Sequence, residues 1–288
     1  MAARSNSSGG VWRVVFWIAL VVCLAAVAAL GFIVYSYWSA NQGYEEIAEV
    51  AFTPADVEAQ QGDAPTTLGE MTVDWDYLRS INPDVVAWVY MPGTAINYPV
   101  VHTTDNDKYL TMDFNQQNGF SARCGTIFLD CTNNADFQDA NNVLYGHHMN
   151  DGSMFAAISK QLVDNDEFNS HRTIYVLTPE ANYQCETFAL VITDGYETIV
   201  STNFEDDEAK AAYVVDKENR SAVTPSEGMP DPAQVTKMFT FSTCDYNKEN
   251  GRAILFSSVV DVATPGTQGG AEVDEGDLTT MQDAQEAA

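Results

Sequence analysis

Two residues late in the chain could perform acyl chemistry together. In "FTFSTCDYNKENGRAILF", Phe239 to Phe256, two short apolar segments flank a polar loop, a pattern that predicts a hairpin. Cys244 ends the first segment, and Arg252 opens the second after seven intervening residues. Antiparallel pairing would bring both to the same end of the hairpin. A thiol there can attack a carbonyl carbon, and a guanidinium can hydrogen-bond the oxyanion that forms. The chain has only 13 Lys and Arg, so an arginine that starts an apolar strand is unusual. Spacing alone leaves equal room for a small buried cysteine and a charge at the barrel rim.

Acyl transfer by a thiol also requires a proton carrier. Of the four histidines, His102 and His171 lie at segment edges, where a solvated role suits them. His147 and His148 differ: in "YGHHM" they follow Gly146 at the end of an apolar strand, and "NDGSMF" turns away after them. One imidazole would project into a loop-lined space. A strand-end histidine is more often structural than catalytic, so this pattern is weak on its own. Adjacent residues of an extended chain face opposite sides, so the pair would not share one metal ion. No H-E-x-x-H and no paired C-x-x-C occurs, and neither a metal nor another cofactor is expected. The order, histidine first and cysteine 97 residues later, is not that of papain. L,D-transpeptidases carry a histidine two residues before the cysteine, where this chain has Ser242.

These residues need strands to hold them. Val85–Tyr90, "INYPVVH", "TIFLD", "NNVLYGHHM", "TIYVLT", "YQCETFALVIT", "MFTFSTC" and "RAILFSSVV" all read as short strands between breakers. Pro99 would limit ladder pairing in the second of them. Asp74 or Thr72 can cap a short helix that runs to about Ile81. "GSMFAAISKQLV" has helical spacing from near Ser153, and about Asp206–Lys217 forms a helix in the connection before the cysteine strand. Seven or eight short strands with few helices predict a closed or nearly closed β-barrel.

The rest of the chain sets the location. Val14–Trp38 is uncharged over about 25 residues, roughly 37 Å as a helix and enough to cross a bilayer. Arg4 and Arg13 precede it and acids follow, so the N-terminus is expected in the cytoplasm and the remainder outside. The run is too long and ends in rings too bulky for a cleaved signal peptide. Residues 39–70 hold seven acids and no base and read as an acidic linker, although "YEEIAEVAF" could form a short helix. A net charge of -28 excludes a nucleic-acid or anionic-lipid surface. Cys124, Cys131, Cys185 and Cys244 would lie in an oxidising compartment, where two disulfides are the starting expectation. A strand between Cys124 and Cys131 would hold those two too far apart.

"LYGHHMNDGSMF", "FTFSTCDY" and Arg252 together closely resemble the three catalytic segments of sortases, the membrane-anchored cysteine transpeptidases of Gram-positive bacteria. "INYPVVH", "DNDKYL", "GTIFLD" and the helix before the cysteine strand are similar to class B members. The resemblance implies a mainly β fold, an eight-stranded sortase-type barrel with N-terminal helices. It implies Cys244 as nucleophile, His147 as general acid/base and Arg252 as the oxyanion and substrate-positioning group, with Thr243 and His148 beside the substrate. The expected organisation is a cytoplasmic segment 1–13, a transmembrane helix 14–38, an acidic linker 39–71, a catalytic domain 72–262 and a disordered acidic tail 263–288. The implied partners are secreted proteins with a C-terminal sorting signal, cleaved after threonine, and an amine of the wall or of a pilin. A peptidase that only hydrolyses, or a non-catalytic surface or pilus-assembly protein, is the alternative.

Overall fold

The computed structural model describes residues 8–53, 67–119, 122–195, 200–245 and 249–267. Helix α1, Ser8–Ala51, leads into a two-residue strand β1, Phe52–Thr53, paired with β2, Thr72–Val73. Helix α2, Trp75–Ile81, starts where the Asp74 carboxylate accepts the Tyr77 amide at 2.8 Å, as the sequence predicts. The barrel strands follow: β3 (Val85–Tyr90), β4 (Asn97–His102), β5 (Ile127–Leu129), β6 (Asn141–Tyr145), β7 (Thr173–Leu177), β8 (Asn182–Asp194), β9 (Met238–Asp245) and β10 (Gly251–Ala263). Helices α3 (Ala156–Lys160) and α4 (Asn165–Ser170) lie between β6 and β7, and α5 (Asp207–Arg220) lies between β8 and β9.

The barrel closes in the order β10-β8-β7-β3-β4-β5-β6-β9, with β9 pairing back onto β10. It is the eight-stranded barrel expected from the sequence. Two neighbours run parallel, β4 with β5 and β6 with β9. A parallel pair needs a long crossover, and the β6–β9 crossover carries α3, α4, β7, β8 and α5. That pairing brings two distant chain segments side by side. Pro99 is accommodated on β4 opposite Trp88, whose indole donates to Asn97 Oδ1 at 2.8 Å.

Trp88, Phe155, Phe168, Phe239 and Phe241 fill the interior and are fully buried. Burying one such side chain stabilises the fold by about 1.5–3 kcal/mol. A second cluster lies outside the sheet, where α5 covers Phe188, Val191, Ile254 and Phe256 with Val214. The Asp206 carboxylate caps α5 by accepting the Ala209 amide at 2.7 Å. Acids stand in its first turn and Lys217 and Arg220 in its last, which suits the helix dipole.

Residues 39–53 differ from the linker expected. As far as Ala51 they continue α1, because Tyr44, Ile47, Ala48 and Ala51 fall on one helical face and pack on the barrel, while Glu45, Glu46 and Glu49 face solvent. Residues 67–71 also differ from that linker, since Leu68 and Met71 are buried and their carbonyls accept from Asn182 Nδ2. Residues 54–66 of the expected linker and 268–288 of the expected disordered tail lie outside the described residues. Toward its N-terminus α1 exposes an uninterrupted apolar surface that includes Trp17, Val21, Leu24, Leu30 and Trp38. It is one helix long and apolar enough to cross a membrane. The expected disulfides are absent: all five cysteines are free. Cys124 lies under α1, Cys185 in the middle of β8 and Cys244 at the barrel mouth, so the fold itself separates them.

Candidate active site

The β9–β10 register sets Cys244 directly opposite Arg252. On the other side of β10, Arg252 faces Thr193 of β8. The parallel β6–β9 ladder pairs Tyr145 with Ser242, and the Gly146 amide extends it by donating to the Ser242 carbonyl at 3.1 Å. His147 follows Gly146 directly, and so stands at the same barrel end as Cys244, whose carbonyl meets His148 Nδ1 at 3.1 Å. His147, Cys244 and Arg252 thus form one row across three neighbouring chain segments at one end of the barrel. All three are half-buried, whereas nearly every other residue of β9 is fully covered.

Gly146 explains why the histidine sits there. A Cβ at this position would lie 2.4 Å from Ile127 Cδ1 and 2.6 Å from Phe155 Cδ2. Only glycine lets the strand end press this closely on the core and release His147 at the rim. The Phe155 amide then donates to the His147 carbonyl at 2.9 Å, which folds the following turn back beneath it. Met154 in that turn adopts a positive φ of 57°, a conformation rare outside glycine.

His147 Nε2 lies 2.7 Å from the Leu110 carbonyl oxygen. A carbonyl only accepts, so Nε2 carries the hydrogen, which leaves Nδ1 as the ring nitrogen not engaged by Leu110. Arg252 Nη1 donates to its neighbour's carbonyl, Gly251 O, at 3.0 Å. No carboxylate among the described residues is within ion-pair distance of this guanidinium. A guanidinium beside a half-exposed thiol and an imidazole is a constellation for acyl transfer at a carbonyl.

A family model described as the sortase domain matches residues 89–260. The chain belongs to the sortase family. It is 33% identical over 202 residues to sortase B of Listeria monocytogenes, covering 69% of this chain and 79% of that protein. The solved structure of Clostridium perfringens sortase B is similar at a TM-score of 0.59 and 30% identity, covering 65% of this chain and 99% of that one. Sortase B of Bacillus anthracis in complex with AAEK2 is similar at a TM-score of 0.63 and 29% identity, over 78% and 97% of the two chains. The chain is therefore a class B sortase, a cysteine transpeptidase of the kind that anchors proteins to the cell wall. Its one apolar N-terminal helix is consistent with a membrane anchor.

Two of the residues that the sequence placed beside the substrate are enclosed in this sortase. His148 is 5% exposed and Thr243 is 3% exposed. The alternation of an extended segment explains it: His147 faces the rim, so His148 turns inward. There its Nδ1 lies 2.6 Å from Ser159 Oγ on α3 and 3.1 Å from the Cys244 carbonyl oxygen. Burial holds its pKa below the ordinary histidine value, against a smaller upward effect of the Cys244 carbonyl. His148 thus supports the backbone that carries the thiol. Thr243 turns its hydroxyl away from the mouth into a buried position with no hydrogen-bond partner among the described residues.

Leu110 and Ser159 carry no sequence signal for their place in the site. Leu110 acts through its backbone carbonyl, which any residue type supplies. Ser159 lies within a helical pattern where a serine reads as a solvent-facing position, yet it is buried.

Proposed function

We propose that Cys244 is the nucleophile, His147 the general acid/base and Arg252 the oxyanion donor of this sortase. The row of these three side chains at one barrel end carries the reading. The substrate is a secreted protein with a C-terminal sorting pentapeptide, cleaved after a threonine. Cys244 Sγ attacks the threonine carbonyl carbon, and its proton passes to His147 Nδ1. Arg252 hydrogen-bonds the oxygen as it becomes an oxyanion, a contribution typically worth about 2.7–4 kcal/mol. The tetrahedral intermediate collapses, the C–N bond breaks, and His147 returns the proton to the leaving amine. A thioester then joins the substrate to Cys244. An amine of the cell wall or of a pilin attacks that thioester and gives its proton to His147. The C–S bond then breaks, a new amide bond is left, and His147 passes the proton to the departing Cys244 sulfur.

The location follows from the anchor. Arg4 and Arg13 before the apolar stretch favour an N-terminus in the cytoplasm and a barrel on the outer membrane face. Secreted substrates and lipid-linked wall precursors both pass that surface. The organisation consistent with this reading is a membrane helix around residues 14–38 and a catalytic unit that includes residues 72–262.

The test is incubation of the full chain with a library of sorting-type peptides, with and without an amine acceptor, followed by mass spectrometry. The expected result is a thioester adduct on the peptide containing Cys244 and an amide product when the amine is present. Cleavage with no amide product at any acceptor concentration would reassign the chain as a hydrolase.

A further inference from the structure

The membrane helix does more than tether the barrel, because one of its side chains reaches the loops around His147. Tyr44 lies on α1 six residues after Trp38, about 9 Å along the helix axis. It is 6% exposed. Its hydroxyl donates to the Gly125 carbonyl at 2.6 Å and accepts the Phe114 amide at 3.1 Å. Both residues lie in the connection between β4 and β5 that also carries Leu110, whose carbonyl holds His147 Nε2.

Gly125 makes the connection direct. Its φ is +57°, and a Cβ there would lie 2.4 Å from the Tyr109 oxygen, 3.0 Å from the Leu110 oxygen and 3.2 Å from His147 Cδ2. Gly125 therefore packs so close to the Leu110 carbonyl and the His147 ring that no side chain fits between them. The Thr126 amide adds a bond to the Tyr109 carbonyl at 3.0 Å, and Thr126 Oγ1 donates to the Met112 carbonyl at 3.0 Å. The Tyr44 ring also meets Tyr98 edge to face, at 5.5 Å between centroids. Tyr98 Oη in turn accepts the Met154 amide at 3.0 Å, in the turn that follows the two histidines. Both loops that border His147 thus close on this tyrosine pair.

We propose that Tyr44 is a positioning residue for the acid/base, so that the anchor helix fixes the tautomer and orientation of His147 through Gly125 and Leu110. The inference rests on the assignment of His147 as the proton carrier. Without the Tyr44 hydroxyl the Gly125 carbonyl and the Phe114 amide lose a shared buried partner, and the Leu110 carbonyl is free to drift. A misplacement of about 1 Å at a catalytic group can cost up to about a hundredfold in rate.

The experiment uses the full chain in nanodiscs, with Tyr44→Phe and Ile47→Ala compared to the unsubstituted protein. Ile47 is buried on the same helix face but makes no hydrogen bond to either loop. Tyr44→Phe keeps the ring contact with Tyr98 and removes only the hydroxyl. It is expected to lower kcat about ten- to a hundredfold with KM within about twofold. In 15N-histidine spectra it is expected to convert His147 from a single Nε2–H tautomer to a mixture. Ile47→Ala is expected to lower Tm while kcat and the tautomer stay as in the parent. An unchanged kcat and tautomer in Tyr44→Phe would overturn the proposal, and so would an equal loss of both in Ile47→Ala. A further measurement needs no variant: the Phe114 amide is to exchange with solvent as slowly as the barrel amides, and exchange at a loop's rate would overturn it. Absence of any thioester in the unsubstituted chain would instead refute the catalytic assignment itself.

Discussion

The sheet of β8, β9 and β10 contains two thiols in opposite circumstances. Cys185, in the middle of β8 opposite Val259, has no exposed surface. Burial pushes its pKa far up, against a smaller lowering by a hydrogen bond to Ser257. Cys244 stands at the mouth of the same sheet, half-exposed, with Arg252 opposite and His147 alongside. The residue type is the same and the strands both pair with β10, so placement separates a buried thiol from the one proposed as the nucleophile. Away from Ser257, Cys185 sits among packed side chains, with Phe239 in the cluster on one face of the sheet and Phe256 in the cluster on the other. Around Cys244 the strands end, the hydrophobic cover stops, and polar side chains converge.

Exchanging the two thiols is the strongest way to break this contrast. Cys244→Ala is expected to abolish thioester capture and amide formation, measured by mass spectrometry of the peptide reaction. Cys185→Ala is expected to retain the parent rate within about twofold and to cost on the order of 1 kcal/mol in denaturant stability. Persistent thioester formation in Cys244→Ala would remove this residue from the nucleophile's place.

The charge at the mouth gives the next effect. Arg252→Ala is expected to lower kcat/KM about a hundred- to a thousandfold, as loss of an oxyanion donor does. Arg252→Lys is expected to recover only part of that, because an ammonium is a point charge without the guanidinium's planar fork. Full activity in the lysine variant would show that charge suffices and geometry does not.

The smallest effect sharpens the contrast between the two adjacent histidines. Burial holds His148 neutral in the folded chain below the pH at which it is protonated when unfolded. Between the ordinary histidine value of about 6.5 and its lower folded value, the unfolded state binds the extra proton, so stability falls as pH falls. His148→Gln removes that contribution. The prediction is a Tm that declines less steeply from pH 7 to pH 5 in this variant than in the parent. Parallel slopes would show that His148 does not contribute.

Much of the scaffold was legible before any coordinates. The strand runs around Val85–Tyr90, Thr173–Leu177 and Met238–Cys244 are short, apolar and bounded by breakers, and Asp74 and Asp206 mark helix starts by their own capping chemistry. The stretch 39–53 was harder, because its acids dominate the composition while its apolar residues matter only by their helical phase. The Asn165–Ser170 helix carries five polar residues out of six, so only its Asp164 cap and the buried Phe168 mark it.

The sequence by itself determined the chemical types: one thiol and one guanidinium flanking a tight hairpin, a Gly–His–His at a strand end, and an apolar segment long enough for a bilayer. These are local properties, fixed by residue identity and by the short-range geometry of hairpins and helices. Tertiary structure decided which of them meet. The parallel pairing of β6 with β9 joins positions 97 residues apart, and no local pattern encodes a parallel partner. It also decided which histidine faces the rim and that Tyr44 of α1 bonds to the connection that carries Leu110. A backbone carbonyl such as that of Leu110 has no sequence signature, because its role comes from where the folded chain places it.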